Sequence, residues 1–81
     1  MSWAIFYSPR AERDCDGLPD VALAALGELE AQLSEHPFLG DPNPDDRLER
    51  SVDFGKTGEG VVTYALEEHL QEIWFLGVIW C

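Results

Sequence analysis

Ile73-Trp74-Phe75-Leu76-Gly77-Val78-Ile79-Trp80 is a run of eight uncharged residues dominated by aromatic and branched side chains, the composition of a β-strand. Successive strand side chains point to opposite faces of a sheet. The alternation places Ile73, Phe75 and Ile79 on one face and Trp74, Leu76, Val78 and Trp80 on the other. Both faces are apolar, so each needs a cover.

Upstream, residues 50–54 and 60–66 also read as strands, and the last strand extends over 71–80. The connections Gly55-Lys56-Thr57-Gly58-Glu59-Gly60 and Glu67-Glu68-His69 are short, which predicts an antiparallel meander. At the other end, residues 3–7 (Trp-Ala-Ile-Phe-Tyr) form a further strand that Ser8-Pro9 cuts off. Serine before proline is a helix N-cap followed by proline at the first helical position. Ala11, Cys15 and Leu18 then recur at i, i+4 and i+7, an amphipathic helix over 9–16 that Gly17 stops. Pro19-Asp20 opens a second helix carrying Ala22, Leu26, Leu29 and Leu33, which ends near 34–36 because Pro37 disfavours helical geometry before it. The expected order is β-α-α-β-β-β in a single domain, residues 1–81. This is an α+β fold with a helical hairpin packed on one face of a small antiparallel sheet.

A hairpin of helices covers only one sheet face. The other is left to residues 37–46, to a second copy of the chain or to another protein. Residues 37–46, with three of the five prolines, are expected to be a loop. The candidate partner-binding residues are therefore Trp74, Phe75, Leu76, Val78, Ile79 and Trp80, with Trp3, Phe6 and Tyr7 adding aromatic surface of the kind that anchors interfaces.

Sixteen acidic residues against five basic ones give a formal charge of −11. Such a surface repels phosphate backbones and anionic membranes over a Debye length of about 8 Å, so direct binding of nucleic acid is disfavoured. No apolar run reaches the roughly 20 residues needed to span a bilayer, and a cytoplasmic location is expected. Cys15 and Cys81 do not make a disulfide framework, and Cys15 reads as a buried thiol.

Signals for chemistry are weak. Gly55-Lys56-Thr57 lacks the preceding glycine and following helix of a phosphate-binding loop. Glu67, Glu68, His69 and Glu72 read as a polar hairpin tip, His36 as a helix-end residue, and the acids of 37–46 lack the alternating ligands of a calcium loop. No metal or cofactor is expected.

Several short motifs carry a family likeness. Ile5-Phe6-Tyr7-Ser8-Pro9-Arg10-Ala11-Glu12-Arg13-Asp14, then Leu18-Pro19, the helix to Leu33, Pro37, Val62-Thr63-Tyr64 and Leu76-Gly77 resemble the RelE/ParE toxin superfamily over nearly the whole chain. The resemblance implies a compact α+β toxin of a type II toxin-antitoxin system, normally bound by its antitoxin. Members similar to RelE cleave messenger RNA in the ribosomal A site with basic residues and a tyrosine on the sheet; members similar to ParE poison DNA gyrase. The chain departs from that pattern. Val61 stands where the family has an arginine, and Phe75, Val78 and Ile79 stand where it has polar or charged residues. Arg47, Arg50, Lys56 and Tyr64 remain.

Each lost phosphate-stabilising group costs a ribonuclease orders of magnitude. The favoured expectation is a toxin-fold protein acting by protein–protein binding, with a cognate antitoxin, another protein or its own copy as partner. The alternative is an active ribosome-dependent mRNA endoribonuclease using Arg47, Arg50, Lys56 and Tyr64 as catalytic residues. A third reading, an acidic mimic of nucleic acid, fits the charge but has no motif behind it.

Overall fold

A computed structural model describes residues 2–81. The elements in chain order are β1 (Ala4–Tyr7), α1 (Pro9–Cys15), α2 (Asp20–Glu35), β2 (Asp41–Asn43), β3 (Asp46–Phe54), β4 (Gly60–Glu67) and β5 (Glu72–Trp80). The strands form one five-stranded sheet in the order β1-β5-β4-β3-β2. The meander of β3, β4 and β5 is antiparallel, as the short connections require.

Two features go beyond the sequence reading. First, the sheet is mixed, because β1 pairs in parallel with β5, Ile5 beside Ile73 and Tyr7 beside Phe75. Parallel neighbours need a crossover of a dozen or more residues, and the two helices together with the meander supply it. Second, the proline-rich segment contributes the edge strand β2, which pairs with the start of β3. The Asn43 and Asp46 side chains accept hydrogen bonds from the Asp45 and Leu48 amides and close the turn between the two strands. Residues 41–43 thus widen the sheet instead of covering its second face.

The helices form as their patterns require. Ser8 Oγ accepts from the Ala11 amide at 3.1 Å, with Pro9 in the first turn. Gly17, at φ 81°, makes the left-handed turn out of α1. Ala22, Leu26, Leu29 and Leu33 of α2 are all buried. The three leucines meet Ala11, Phe54, Val62, Tyr64, Ile73, Phe75 and Val78 in one core.

Where β1 ends, α1 takes over the edge of β5. The Ser8 amide donates to the Phe75 carbonyl at 2.9 Å, and Ser8 Oγ donates to the Leu76 carbonyl at 3.3 Å. Asp14 Oδ2 accepts from the Val78 amide at 3.0 Å. Side chains thereby satisfy strand-edge groups that would otherwise invite another chain. Ser8 serves both helix and sheet, and Ser8→Ala is expected to lower stability by about 1 kcal/mol, read as a lower urea midpoint at unchanged slope.

Candidate functional site

Arg50 and Tyr64 are cross-strand partners on β3 and β4, and both side chains are committed to the segment between α2 and β2. Tyr64 is fully buried. Its hydroxyl donates to the Pro37 carbonyl and accepts from the Gly40 amide, each at 2.9 Å. Burial pushes its pKa upward, against the opposing pull of the Gly40 amide and the Arg50 charge. Arg50 Nη1 donates to the Gly40 carbonyl at 2.7 Å and to the Phe38 carbonyl at 3.2 Å. Its guanidinium also lies 5.1 Å over the Phe38 ring. Together they fix residues 37–40.

The other two candidate catalytic residues lie apart from this pair and from each other. Arg47 is exposed at the start of β3, and Lys56 sits in the turn after it. By strand rise, Arg47 and Phe54 alone are separated by on the order of 23 Å. Phosphoryl transfer needs a base, an acid and a cation around one phosphate, and Arg47, Arg50, Lys56 and Tyr64 are not gathered into such a set.

The candidate partner-binding residues divide between the two faces, and not as simple alternation predicts. Along β4 and β5, Thr63 pairs with Gly77 but Tyr64 pairs with Phe75. Leu76 is the extra residue of a bulge, and a bulge reverses the phase of everything beyond it. Phe75 and Val78 therefore share the core face with Ile73 and are buried. This burial corrects the expectation that they belong to a docking surface. Leu76 and Trp80 are half-buried, Trp80 against Phe54 with ring centroids 5.5 Å apart.

Trp74 and Ile79 remain on the open face, 38% and 62% exposed. Phe6 joins them from β1: it lies beside Trp74 in the parallel ladder, with the rings stacked 5.0 Å apart. Val61 pairs with Ile79 and Ala65 with Trp74, with Thr63 beside Gly77 between the two pairs, so this face carries an apolar stripe interrupted at Thr63. Val61 and Ile79 form a cross-strand hydrocarbon pair. Glu67 faces Glu72 at the end of the stripe, and the Trp74 indole N–H donates to Glu72 Oε1 at 3.1 Å. The sequence marks Phe6 only as general aromatic surface; its place beside Trp74 follows from the β1–β5 pairing, which spans almost the whole chain.

Elsewhere, polar groups have structural partners. The Tyr7 hydroxyl donates to Glu30 Oε2, and burial together with that carboxylate drives its pKa far up. Burial, then Asp14, Asp16 and Glu30, also raises the Cys15 thiol, which keeps it protonated and a poor nucleophile. His36 ends α2, its amide donating to the Gln32 carbonyl at 2.8 Å. Gly55-Lys56-Thr57 lies in the turn from β3 to β4, where the Thr57 amide donates to Glu59 Oε1 at 2.9 Å. Among the described residues, no group of three or more His, Cys, Asp or Glu side chains is placed to hold a metal ion.

No protein-family model and no curated protein matches the chain. Solved structures do. A chain of the toxin-antitoxin complex RelBE2 from Mycobacterium tuberculosis is similar at a TM-score of 0.88 and 23% identity, covering 100% of both chains. The isolated E. coli RelE toxin gives a TM-score of 0.85 at 10% identity, over 99% of this chain and 85% of that one. A chain of the archaeal RelE-RelB complex from Pyrococcus horikoshii OT3 gives 0.71 at 14% identity, over 99% of this chain and 96% of that one. At such identities the likeness is one of fold: the chain has the RelE toxin fold from end to end.

Proposed function

We propose that this chain is the toxin-fold member of a type II toxin-antitoxin system, that it acts in the cytoplasm by binding protein, and that it does not cleave messenger RNA. The observation that carries this reading is the Tyr64 hydroxyl. It is the one phenol on the strand that resembles the family motif, and it is buried with both hydrogen-bonding roles spent on Pro37 and Gly40. A phenol so placed does not reach a phosphate. One of the similar solved chains comes from a toxin-antitoxin complex and another from a RelE-RelB complex, which supports a cognate antitoxin as the partner.

The docking surface in this reading is the stripe of Phe6, Trp74 and Ile79, flanked on β4 by Val61, Thr63 and Ala65. Stacked aromatics on an open sheet face are the sort of group that dominates binding energy. A second copy is a poorer occupant, because each copy brings a charge of −11.

Purified protein added to translating ribosomes is expected to leave message ends unchanged. Cuts at a fixed codon position that vanish in Arg50→Ala or Tyr64→Phe would overturn the reading. With the product of the adjacent reading frame as probe, Trp74→Glu combined with Ile79→Glu is expected to weaken binding by roughly a hundredfold or more. Both side chains are outside the core, so circular dichroism should stay unchanged. Sedimentation at several concentrations separates this partner from self-association.

A further inference from the structure

A groove of about 310 Å³ runs between α2 and the end of β3, and Phe6, Trp74 and Ile79 take no part in its lining. Phe54, Leu29 and Trp80 give it an apolar floor, and Val21 and Ala24 continue that surface up the helix wall. Its opposite wall is main chain. The β2 strand pairs with β3 only as far as Asp41 beside Ser51, so β3 from 52 to 54 has β4 on one side and no strand on the other.

The direction of the free groups can be read from Gly40. A Cβ there would lie 2.6 Å from the Ser51 carbonyl oxygen, so that carbonyl points outward, away from β4. Main-chain direction alternates along a strand; hence the N–H and C=O of Asp53 also point outward, into the groove. Among the described residues, no side chain or loop amide bonds to either group. An unpaired strand edge alongside a helix, above an apolar floor, is a template for strand addition.

We propose that this groove takes an extended, lysine- or arginine-bearing segment of a partner protein, added as a further strand along the outer edge of β3 beside α2. Charge selects the segment. Glu28 on the helix side, Asp53 on the strand and Glu59 on the turn side line the groove against one cation, Lys56, on a chain of net charge −11. Glu59 is held ionised by the Thr57 amide, which lowers its pKa. The volume fits a few side chains but not a helix some 10 Å across. An extended segment would place alternate side chains on the floor and the intervening cations on the opposite face of the sheet, where the net charge of −11 favours them. The site shares no residue with the sheet-face stripe and stands or falls separately from it.

The test uses the full chain, labelled with 15N, and an end-blocked peptide of alternating valine and lysine. Saturable shifts are expected at the Asp53 and Glu28 amides and the Trp80 indole, together with slowed exchange of the Asp53 amide. An alternating valine–glutamate peptide should produce none. Asp53→Pro removes only an outward-facing N–H, a position proline tolerates, and is expected to weaken the lysine peptide about tenfold or more, whereas Asp53→Ala should not. If the proline variant does not fold, Ala24→Trp, which fills the groove from the exposed face of α2, serves in its place and should abolish the shifts. Shifts confined to Phe6 and Trp74, equal binding of the acidic peptide, undiminished binding to Asp53→Pro or Ala24→Trp, or no saturable binding would each overturn the proposal.

Discussion

Phe75→Ala is expected to leave the chain largely unfolded at ordinary temperature, while Trp74→Ala, one residue away, should fold normally. Phe75 is 0% exposed. It packs edge-on to Tyr7 with centroids 4.9 Å apart and lies 6.5 Å from Tyr64. Truncating a buried phenylalanine costs about 3–5 kcal/mol, from lost transfer energy and the cavity left behind, and aromatic pairs add roughly 0.5–1.5 kcal/mol. A domain of this size commonly holds only about 5 kcal/mol in reserve. Trp74 keeps 38% of its surface in water and rests mainly on Phe6, so its loss should cost about 1 kcal/mol or less. Urea titrations followed by circular dichroism distinguish the two. Equal effects at both positions would mean that Trp74 and Phe75 do not lie on opposite faces of β5.

That bulge marks the limit of what alternation reveals. Before Leu76, period-2 reading places Ile73, Trp74 and Phe75 on their correct faces; after it, Val78 and Ile79 exchange sides. Nothing in Leu76-Gly77-Val78 marks the extra residue, because the shift arises where β5 pairs with β4. The α2 core was legible throughout, since Ala22, Leu26, Leu29 and Leu33 lie on one stripe whose period is a property of the helix alone. So was Ser8-Pro9, whose cap bond is local.

The edge strand β2 was hidden for the opposite reason. Asp41-Pro42-Asn43 has poor strand composition, and its conformation is imposed by β3 on one side and by the Tyr64–Arg50 clamp at Gly40. The candidate catalytic residues show the same division. A sequence motif shows that a tyrosine and an arginine are present; where their polar atoms point depends on segments 24 and 10 residues away.

The role assigned to Tyr64 yields the second large effect. Tyr64→Phe keeps the ring in place but strands the Gly40 amide and the Pro37 carbonyl, both partners of one buried hydroxyl. Each unsatisfied buried group costs about 1–3 kcal/mol, so a loss of about 3 kcal/mol is expected. In a domain this small that lowers Tm by roughly 10–20 °C. Water reaching residues 37–40 would reduce the loss, and amide exchange at Gly40 would report it as faster.

The variant should also alter the alkaline limb. The folded-state pKa values of Tyr7 and Tyr64 both lie above the ordinary value of 10. Their stabilisation is complete below pH of about 10 and is lost as pH rises toward the folded values, because the unfolded chain releases those protons first. Tyr64→Phe should therefore start less stable and lose less with each unit of pH above about 10. A ribonuclease that depended on Tyr64 would behave differently. It would lose message cleavage in this variant at temperatures where the fold is intact, whereas a structural clamp loses only stability.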